Sequence, residues 1–416
     1  MELLNLYLKK GSVYDPENHR AITLIICLGK VFTAILYARL NEYAERVHLI
    51  TRSQAGFRKG YSTQDNMFIL HCLITLYFSK KKKLFCSFID FSRAFDTVWR
   101  KGLFTKLELN YVHGKFLNIV KSMYNNIKSC VEVNNNLSDY FACNIGVRQG
   151  ENLSPFLFSI YLNDLEQFFI ECNVSSLQTV GQISSEKINT FLQIFLLFYA
   201  DDTCVFAESK EGMQRALNSF ELYCDRWKLK VNSAKTKVLI FSKKKINKNN
   251  FEFYYKGEKI EIVDDYNYLG LLFNYNGSFI KAKKKLIEQS QKALFGVFQR
   301  IRNLCIPIDL QFKIYDSLVL PILLYSSEIW GYENLKDIER AHLQFCKSVL
   351  KVRKSTPNYM VYGELGRIPI EIHVKLKMLS FWTRLLYTDK LSSNMYLLMH
   401  RLYSYNQINF KWMSFV

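Results

Sequence analysis

Two apolar runs that end abruptly in carboxylates constrain the fold of this 416-residue chain more than any other feature. Residues 84–89 lead into Asp90, and residues 195–200 lead into Asp201 and Asp202. Short apolar runs of this kind are typical of buried strands. Burying an unpaired carboxylate is costly, so these side chains must be paired or must bind cations. If the two strands are adjacent, their ends form a site for divalent cations.

The remaining pattern alternates helices and short strands up to about residue 275 and becomes helical beyond about residue 280. It predicts an α+β body followed by a helical C-terminal part. The expected elements are a helix that begins at Ser154–Pro155 and runs to about Phe169, a strand–turn–strand unit over 195–206, a helix over 213–227, and a hairpin over 251–263.

The formal net charge of +19 indicates a polyanionic partner, and nucleic acid is the first candidate. A membrane is the weaker alternative, because the longest apolar runs, 21–28 and 191–200, are much shorter than the roughly 20 residues that span a bilayer. We therefore expect no membrane association. None of the 10 cysteines lies in a CxxC pair, which favours a reducing, intracellular environment and no structural metal. Nucleus and cytoplasm both remain open.

Several short segments follow one another in a recognisable order, and together they resemble the reverse transcriptases of non-LTR (LINE-type) retrotransposons of the jockey/CR1-like kind. The resemblance covers about residues 15–275. The segments are NHRAITL at 18–24, QAGFRKGYST at 54–63, FIDFSRAFD at 88–96, GVRQG at 146–150 with LSP at 153–155, YADD at 199–202, the stretch 227–241 and YLG at 268–270, with a less specific match to the family's C-terminal tail at 323–331.

The resemblance implies a right-hand polymerase fold, with fingers, a palm built on an antiparallel sheet and a helical thumb, followed by an α-helical C-terminal region. We assign residues 1–275 to the fingers and palm, 276–350 to a helical thumb-like region and 351–416 to a helical C-terminal tail. The endonuclease domain of many such elements lies outside this sequence. The chain is thus expected to be the polymerase portion of a longer element protein or a truncated gene product.

By this resemblance Asp90 and Asp201 bind two Mg²⁺ ions, with Mn²⁺ as a substitute, and Asp202 is the third carboxylate of the site. Two such ions about 4 Å apart stabilise both the attacking and the leaving oxygen of a phosphoryl displacement. Taken alone, an aspartate at the end of a strand is more often a turn or cap residue. Asp96 is expected to be such a first-turn residue of a following helix.

Three residues are expected to bind nucleotides, among them the incoming deoxynucleoside triphosphate. Arg58 would bind the triphosphate, because a guanidinium forms bidentate contacts with phosphate. Lys59 is a secondary candidate for this contact, and Arg20 is expected to support the fingers. In the family the aromatic residue at the Phe95 position excludes a 2′-hydroxyl by its bulk, although a plain core phenylalanine is the alternative. Gln149 would contact a template nucleotide without demanding one base.

Lys235 is the candidate general acid that protonates the departing pyrophosphate. Lys237 could serve instead, and a plain surface lysine is an equal alternative for either position. Gly150 would let the backbone approach nucleic acid closely.

The RNA template and DNA primer would be held by Tyr268 at the primer end and by the basic helix 281–302, from which we single out Lys283 and Lys284. Such contacts go to phosphates and carry no sequence information. A solvated basic helix face is the alternative interpretation.

RNA-directed DNA polymerisation is the leading function. The alternative is a catalytically silent, retroelement-derived nucleic-acid-binding relic, which departures such as Ala21, Glu151 and Asn152 from the family pattern leave open. A third hypothesis, an RNA-dependent RNA polymerase, ranks low because those enzymes favour Gly-Asp-Asp in the hairpin and lack an aromatic residue at the Phe95 position.

Overall fold

A computed structural model of the chain describes residues 2–8, 12–15, 18–133, 136–178, 193–300 and 305–415. The strands are β1 (Glu2–Leu8), β2 (His19–Leu24), β3 (Leu84–Ile89), β4 (Lys128–Val133), β5 (Asn136–Leu137), β6 (Phe141–Ala142), β7 (Leu177–Gln178), β8 (Gln193–Ile194), β9 (Leu196–Tyr199), β10 (Asp202–Ala207), β11 (Lys237–Phe241), β12 (Tyr254–Tyr255), β13 (Glu258–Lys259), β14 (Glu261–Val263), β15 (Asp265–Tyr268) and β16 (Leu271–Asn274). The helices are α1 (Cys27–Arg46), α2 (Thr63–Ser79), α3 (Arg100–Leu109), α4 (Gly114–Met123), α5 (Ser154–Leu162), α6 (Leu165–Glu171), α7 (Lys210–Arg226), α8 (Ile280–Arg300), α9 (Ile308–Leu318), α10 (Leu320–Leu323), α11 (Ser327–Trp330), α12 (Lys336–Val349), α13 (Asn358–Leu365), α14 (Ile370–Leu386) and α15 (Leu391–Ser404).

A central five-stranded sheet has the order β14-β11-β3-β10-β9, and its strands are antiparallel except for the parallel pair β11 and β14. All six residues of β3 are buried. Leu84, Cys86 and Phe88 enter one hydrophobic core, while Phe85 and Ile89 enter another on the opposite face. Alternate side chains of a strand point to opposite faces, so a sheet covered on both sides requires a continuous apolar run. The predicted buried strand is confirmed.

The register of β3 and β10 brings the two acidic strand ends together. Thr203 pairs with Ile89. Because the strands are antiparallel, Asp202, just before Thr203, lies beside Asp90, just after Ile89. The predicted strand–turn–strand unit is confirmed as β9 and β10, with Ala200 in the tight turn at φ 62°.

A second sheet has the order β2-β1-β4-β5, with β6 paired to β4. The loop before α5 joins it through a hydrogen bond from the Thr23 amide to the Gln149 carbonyl, at 2.7 Å. Gly150 follows at φ 107°, and a Cβ there would lie 2.8 Å from the Thr23 carbonyl oxygen. Only glycine fits this close approach without strain.

The C-terminal helices share a core with the central sheet. One hydrophobic cluster joins Phe88 of β3 and Phe68 of α2 to Met378 of α14 and Met399 of α15. This core crosses both predicted domain boundaries, 275/276 and 350/351, which remain predictions. The predicted α+β class with a helical C-terminal region is confirmed. Among the described residues, no helix has the length and apolar character needed to cross a bilayer.

One predicted helix is divided in two. The helix expected from Ser154 to Phe169 ends at Leu162 and resumes as α6. Between the two helices, the Asn163 side chain accepts from the Thr51 amide at 2.8 Å and donates to the Leu49 carbonyl at 2.7 Å. These contacts to a distant loop stabilise the break.

Two other expectations need correction, and a third falls partly outside the described residues. The hairpin expected over 251–263 pairs only as β12 with β13, because β14 joins the central sheet beside β11. Asp96 lies in a turn, since the next helix begins only at Arg100. Helix α8 is described to Arg300, and the last expected basic residue, Arg302, lies outside the described residues.

Candidate active site

A cavity of about 630 Å³ opens where β3 and the β9–β10 turn end. Its walls come from β2, the turn after β3, the loop before α5 and the segment between α7 and β11. The cavity is lined by six of the predicted site residues, Asp90, Phe95, Gln149, Gly150, Asp201 and Lys235.

The carboxylates of this site destabilise one another's charged forms. Burial raises the pKa of Asp201, and the negative charge of Asp90 raises it further, while the positive charge of Arg20 lowers it. The pKa of Asp202 is raised to about 6, first by desolvation and then by the charges of Asp201 and Asp90. Nearby like charges raise carboxyl pKa values in this way. A cation bound among these groups would relieve the repulsion.

The described residues contain no group of three or more His, Cys, Asp or Glu side chains placed to hold a metal ion. Magnesium, however, is commonly bound by one or two carboxylates together with substrate phosphates and water. Asp90 and Asp201 line the cavity and fit that donor set, whereas Asp202 lies outside its described lining. Burial raises the pKa of Tyr266 on β15, and the charges of Asp202 and Asp90 raise it further.

Lys235 lies at the mouth of the cavity, with its Nζ 3.7 Å from Asp90 Oδ2. Both side chains are partly exposed, so the ion pair is weak and leaves the ammonium able to move. Lys237, the alternative candidate, pairs with Glu261 at 2.6 Å and donates to the Ala234 carbonyl. The structure therefore places Lys235, rather than Lys237, at the cavity.

Phe95 forms one wall of the cavity. Its ring stacks on Phe158 with 5.2 Å between centroids and meets the edge of Phe57 at 6.2 Å. Phe158 is fully buried, so it supports the Phe95 ring from the core side.

The structure does not bring Arg58, the residue expected to bind the triphosphate, to the cavity. The Arg58 side chain is only 8% exposed and pairs with Glu45 at 2.8 Å. It makes a second bond to Glu45 and also donates to the carbonyl oxygens of Thr51 and Gln54. These bonds use four of the five guanidinium N–H donors. Arg20, which was expected only to support the fingers, lines the cavity instead.

Two of the residues expected to contact nucleic acid are buried. Tyr268 is 2% exposed and packs beside Phe88, with 5.3 Å between ring centroids. Lys283 is 7% exposed and pairs with Glu333 at 2.7 Å. Both predictions are corrected, because these side chains belong to the core between the sheet and the C-terminal helices. Lys284 is exposed, as predicted.

The cavity-wall residues to which sequence reasoning assigned no binding role include Arg20, Phe57 and Asn232. The Asn232 amide donates to the Asp90 carbonyl at 2.8 Å and so fixes the segment that carries Lys235. Arg20 and Phe57 both lie within the quoted motif segments, which was the available signal. The side-chain directions that distinguish Arg20 from Arg58 could not be predicted from the sequence.

Comparisons with known proteins show which sequences and structures the chain is similar to. The sequence model of the family described as "Reverse transcriptase (RNA-dependent DNA polymerase)" matches residues 7–273. The chain is 25% identical over 391 residues to a probable RNA-directed DNA polymerase from transposon BS of Drosophila melanogaster, which covers 93% of the chain and 42% of that relative. It is 23% identical to the RNA-directed DNA polymerase from mobile element jockey of the same species, over 85% of the chain and 37% of the relative.

The chain thus spans less than half the length of these relatives. Among solved structures, an apo telomerase from Candida tropicalis aligns with a TM-score of 0.46 at 13% identity, over 91% of this chain and 62% of that one.

Proposed function

The chain belongs to the reverse transcriptase (RNA-dependent DNA polymerase) family, and we propose that it extends a DNA primer on an RNA template by magnesium-dependent nucleotidyl transfer. The predicted resemblance to non-LTR retrotransposon enzymes is confirmed by the family match and by the relatives from transposon BS and jockey. The activity, the roles of the residues and the partners given below are proposals for this chain.

The single observation that supports the proposal most is the convergence of Asp90 and Asp201 in one cavity. The two residues are more than a hundred positions apart in sequence and line the same cavity. Burial raises the pKa of Asp201 and of Asp202, and the charge of Asp90 on the other strand raises both further. When bound, two Mg²⁺ ions would supply Lewis-acid stabilisation of the reacting phosphate oxygens. Asp90 and Asp201 would hold them together with the triphosphate, and Asp202 would shape the field from the neighbouring strand.

In the proposed reaction the primer 3′-oxygen bonds to the α-phosphorus of the nucleotide, the α–β anhydride bond breaks, and pyrophosphate leaves. The 3′-hydroxyl loses a proton and pyrophosphate gains one. Lys235 would give that proton, and its ammonium, which lies 3.7 Å from Asp90 Oδ2, supports this role. Arg20 replaces Arg58 as the residue proposed to bind the triphosphate, because it faces the carboxylates across the cavity.

Three further cavity residues would position the nucleotide and the template. Phe95 would pack against the sugar of the incoming nucleotide. Gln149 and Gly150 line the cavity next to β2, where a template base could approach the backbone.

Nucleic-acid binding would use the excess positive charge of the chain. We propose that helix α8, at the start of the thumb-like region, follows the phosphates of the RNA–DNA duplex through Lys284. Its neighbours Lys281 and Lys285 already bind Asp265 and Asn267 at 2.7 and 2.9 Å, so α8 is anchored to β15 on one side. Phosphate contacts of this kind weaken steeply with salt.

Primer extension on poly(rA)/oligo(dT) with Mg²⁺ tests the proposal. The purified chain should incorporate dTTP and reject UTP. Asp201→Asn should reduce incorporation by at least about a thousandfold, because half of the proposed metal-binding pair is lost, while duplex binding measured by fluorescence anisotropy stays nearly unchanged. Asp337→Asn, at an exposed aspartate of α12, is the matched control and should retain full activity.

No incorporation by folded wild-type protein that still binds the duplex would favour the nucleic-acid-binding relic. Efficient UTP incorporation would favour an RNA polymerase. Extension at the wild-type rate by Asp201→Asn would remove the metal-site assignment.

A further inference from the structure

A segment of the N-terminal part, residues 53–66, is attached directly to the turn that carries Asp201. We call it the pocket segment. The Phe198 amide donates to the Ser53 carbonyl at 2.8 Å, and the Ala55 amide donates to the Phe198 carbonyl at 3.0 Å. Gln54 and Phe198 thus form a parallel β-bridge. The pocket segment therefore acts as an additional short strand beside β9.

Contacts to the turn itself tighten this attachment. The Gln54 side-chain oxygen accepts from the Ala200 amide at 3.2 Å and from the Gly56 amide at 2.8 Å. Gly56 lies so close to the turn that a Cβ there would be 2.1 Å from the Ala200 nitrogen. The next residue, Phe57, lines the cavity and meets Phe95. A shift of the pocket segment would therefore move both a cavity wall and the Asp201 turn.

The other end of the pocket segment is held by the C-terminal helices. The Asp65 side chain is 4% exposed. One of its carboxylate oxygens accepts hydrogen bonds from Arg384 Nη2 at 3.2 Å and from the Ser392 hydroxyl at 2.8 Å. Its other oxygen accepts from the Ser62 amide at 2.8 Å and completes the capping box of α2. Arg384 also donates to the Ser62 hydroxyl at 3.1 Å.

A second group of contacts comes from the connection between α14 and α15. Lys390 donates to the Gly60 carbonyl and lies over the Tyr61 ring, with its Nζ 4.7 Å from the centroid. Asp389 pairs with Arg52 at 3.0 Å, just before the pocket segment, although both side chains are exposed and this pair is weak.

We propose that Arg384, Lys390 and Ser392, which we call the C-terminal clamp, are positioning residues for the nucleotide pocket. They hold residues 60–65, and through the rigid pocket segment they set the position of Phe57 and of the Asp201 turn. The expected change in KM rests on the proposed polymerase function. The expected change in the position of the pocket segment does not. The clamp makes the C-terminal region part of the machinery of nucleotide binding, although no clamp residue lines the cavity in the described part of the chain.

The physical basis is that Asp65 is a buried carboxylate with donors from both parts of the chain. Removing the Arg384 guanidinium leaves this carboxylate with fewer donors, and bonds to charged groups are the strongest of their kind. The N-terminal turn of α2 and residues 60–62 then lose hydrogen bonds that stabilise them. These residues can then move away from β9, and the cavity wall at Phe57 loosens.

Two variants test the clamp, Arg384→Gln and the milder Lys390→Met. For Arg384→Gln we expect the KM for dTTP to rise about tenfold, with kcat within about twofold of wild type. We also expect trypsin to cut the native protein after Arg58 or Lys59 about tenfold faster, as identified by mass spectrometry. Arg384→Lys keeps the charge, so its KM for dTTP and its rate of trypsin cutting should both be close to those of wild type. Lys390→Met should give smaller changes in the same direction.

Arg367→Gln is the matched control, because Arg367 also pairs with an aspartate, Asp316, at 2.6 and 3.0 Å elsewhere in the C-terminal region. It should leave both the KM and the cutting after Arg58 or Lys59 unchanged. Equal effects from Arg367→Gln, or unchanged cutting and KM in Arg384→Gln, would overturn the clamp. If wild type proves inactive, faster cutting in Arg384→Gln alone would still support it, so failure of the polymerase proposal is distinguishable.

Discussion

At the scale of single residues, the cavity wall at Phe95 is stiff because aromatic rings support it on two sides. We expect Phe95→Val to admit ribonucleotides. The discrimination between dTTP and UTP, measured as the ratio of kcat/KM values on poly(rA)/oligo(dT), should fall by at least about tenfold, since removing bulk from a pocket changes selectivity by this order.

The control is Phe95→Tyr, which keeps the ring and should keep the discrimination. If Phe95→Val rejects UTP as strongly as wild type does, Phe95 is a core residue with no part in sugar selection.

Arg20 and Arg58 differ in what their guanidinium groups already bind. Arg20→Gln should raise the KM for dTTP at least about tenfold, the usual cost of a lost charged hydrogen bond, while the urea midpoint stays unchanged because Arg20 is exposed on β2. Arg58→Gln should lower the free energy of unfolding by about 2 kcal/mol, because Glu45 and two carbonyl oxygens lose their donor. The exposed Arg46→Gln should change neither quantity, and the reverse pattern for Arg20 and Arg58 would restore the original assignment.

At the scale of elements, α2 is almost wholly buried and carries a histidine in an apolar environment. His71 is 4% exposed, and neither ring nitrogen has a hydrogen-bond partner among the described residues. Its ring lies against Tyr332 and Phe279, with 5.6 and 5.3 Å between centroids. Burial lowers the pKa of His71 to about 4. The folded protein therefore holds this side chain neutral.

This burial predicts a specific pH dependence of stability. Between pH 6.5 and 4 the unfolded chain binds a proton at His71 that the folded chain does not, so stability falls as the pH falls. His71→Leu should remove the contribution of this side chain to the pH dependence of stability. The variant should gain about 3 kcal/mol relative to wild type between pH 7 and pH 4, from 1.36 kcal/mol per pKa unit, as measured by urea unfolding at each pH.

Leu70→Met, a substitution of similar volume in the same helix, is the control. Its free energy of unfolding should change with pH as that of wild type does across this range. A His71→Leu curve that also runs parallel to wild type would mean that His71 titrates alike in the folded and unfolded chains.

At the scale of the whole molecule, the core that joins the central sheet to α14 and α15 makes the C-terminal region part of one cooperative unit. Met399→Ala in α15, where the side chain is fully buried, should lower the free energy of unfolding by about 2–5 kcal/mol. The loss should also appear at β3, when hydrogen exchange is measured for its amides. Leu397→Ala in the same helix, at a side chain that is 43% exposed, should cost under about 0.5 kcal/mol. Unchanged exchange in β3 for Met399→Ala would show that the C-terminal region unfolds independently.

Local sequence was sufficient for the elements whose signals lie within a few residues. The buried strand β3, the β9–β10 hairpin and the carboxylates at their ends were predicted because a short apolar run that stops at acidic residues is typical of a buried strand that ends at a polar site. The break after Leu162 was missed, because the groups that stabilise it, Leu49 and Thr51, are more than a hundred residues away.

The fold class, the acidic strand ends and the order of the motifs could be predicted, because strand periodicity and charge are local properties of the chain. Which side chains reach the cavity could not be predicted, because that depends on contacts between distant residues. Arg20, rather than Arg58, lines the cavity, and Tyr268 and Lys283 are buried in the core. A side chain's direction depends on partners such as Glu45 and Glu333, whose proximity arises from long-range packing rather than from any local pattern.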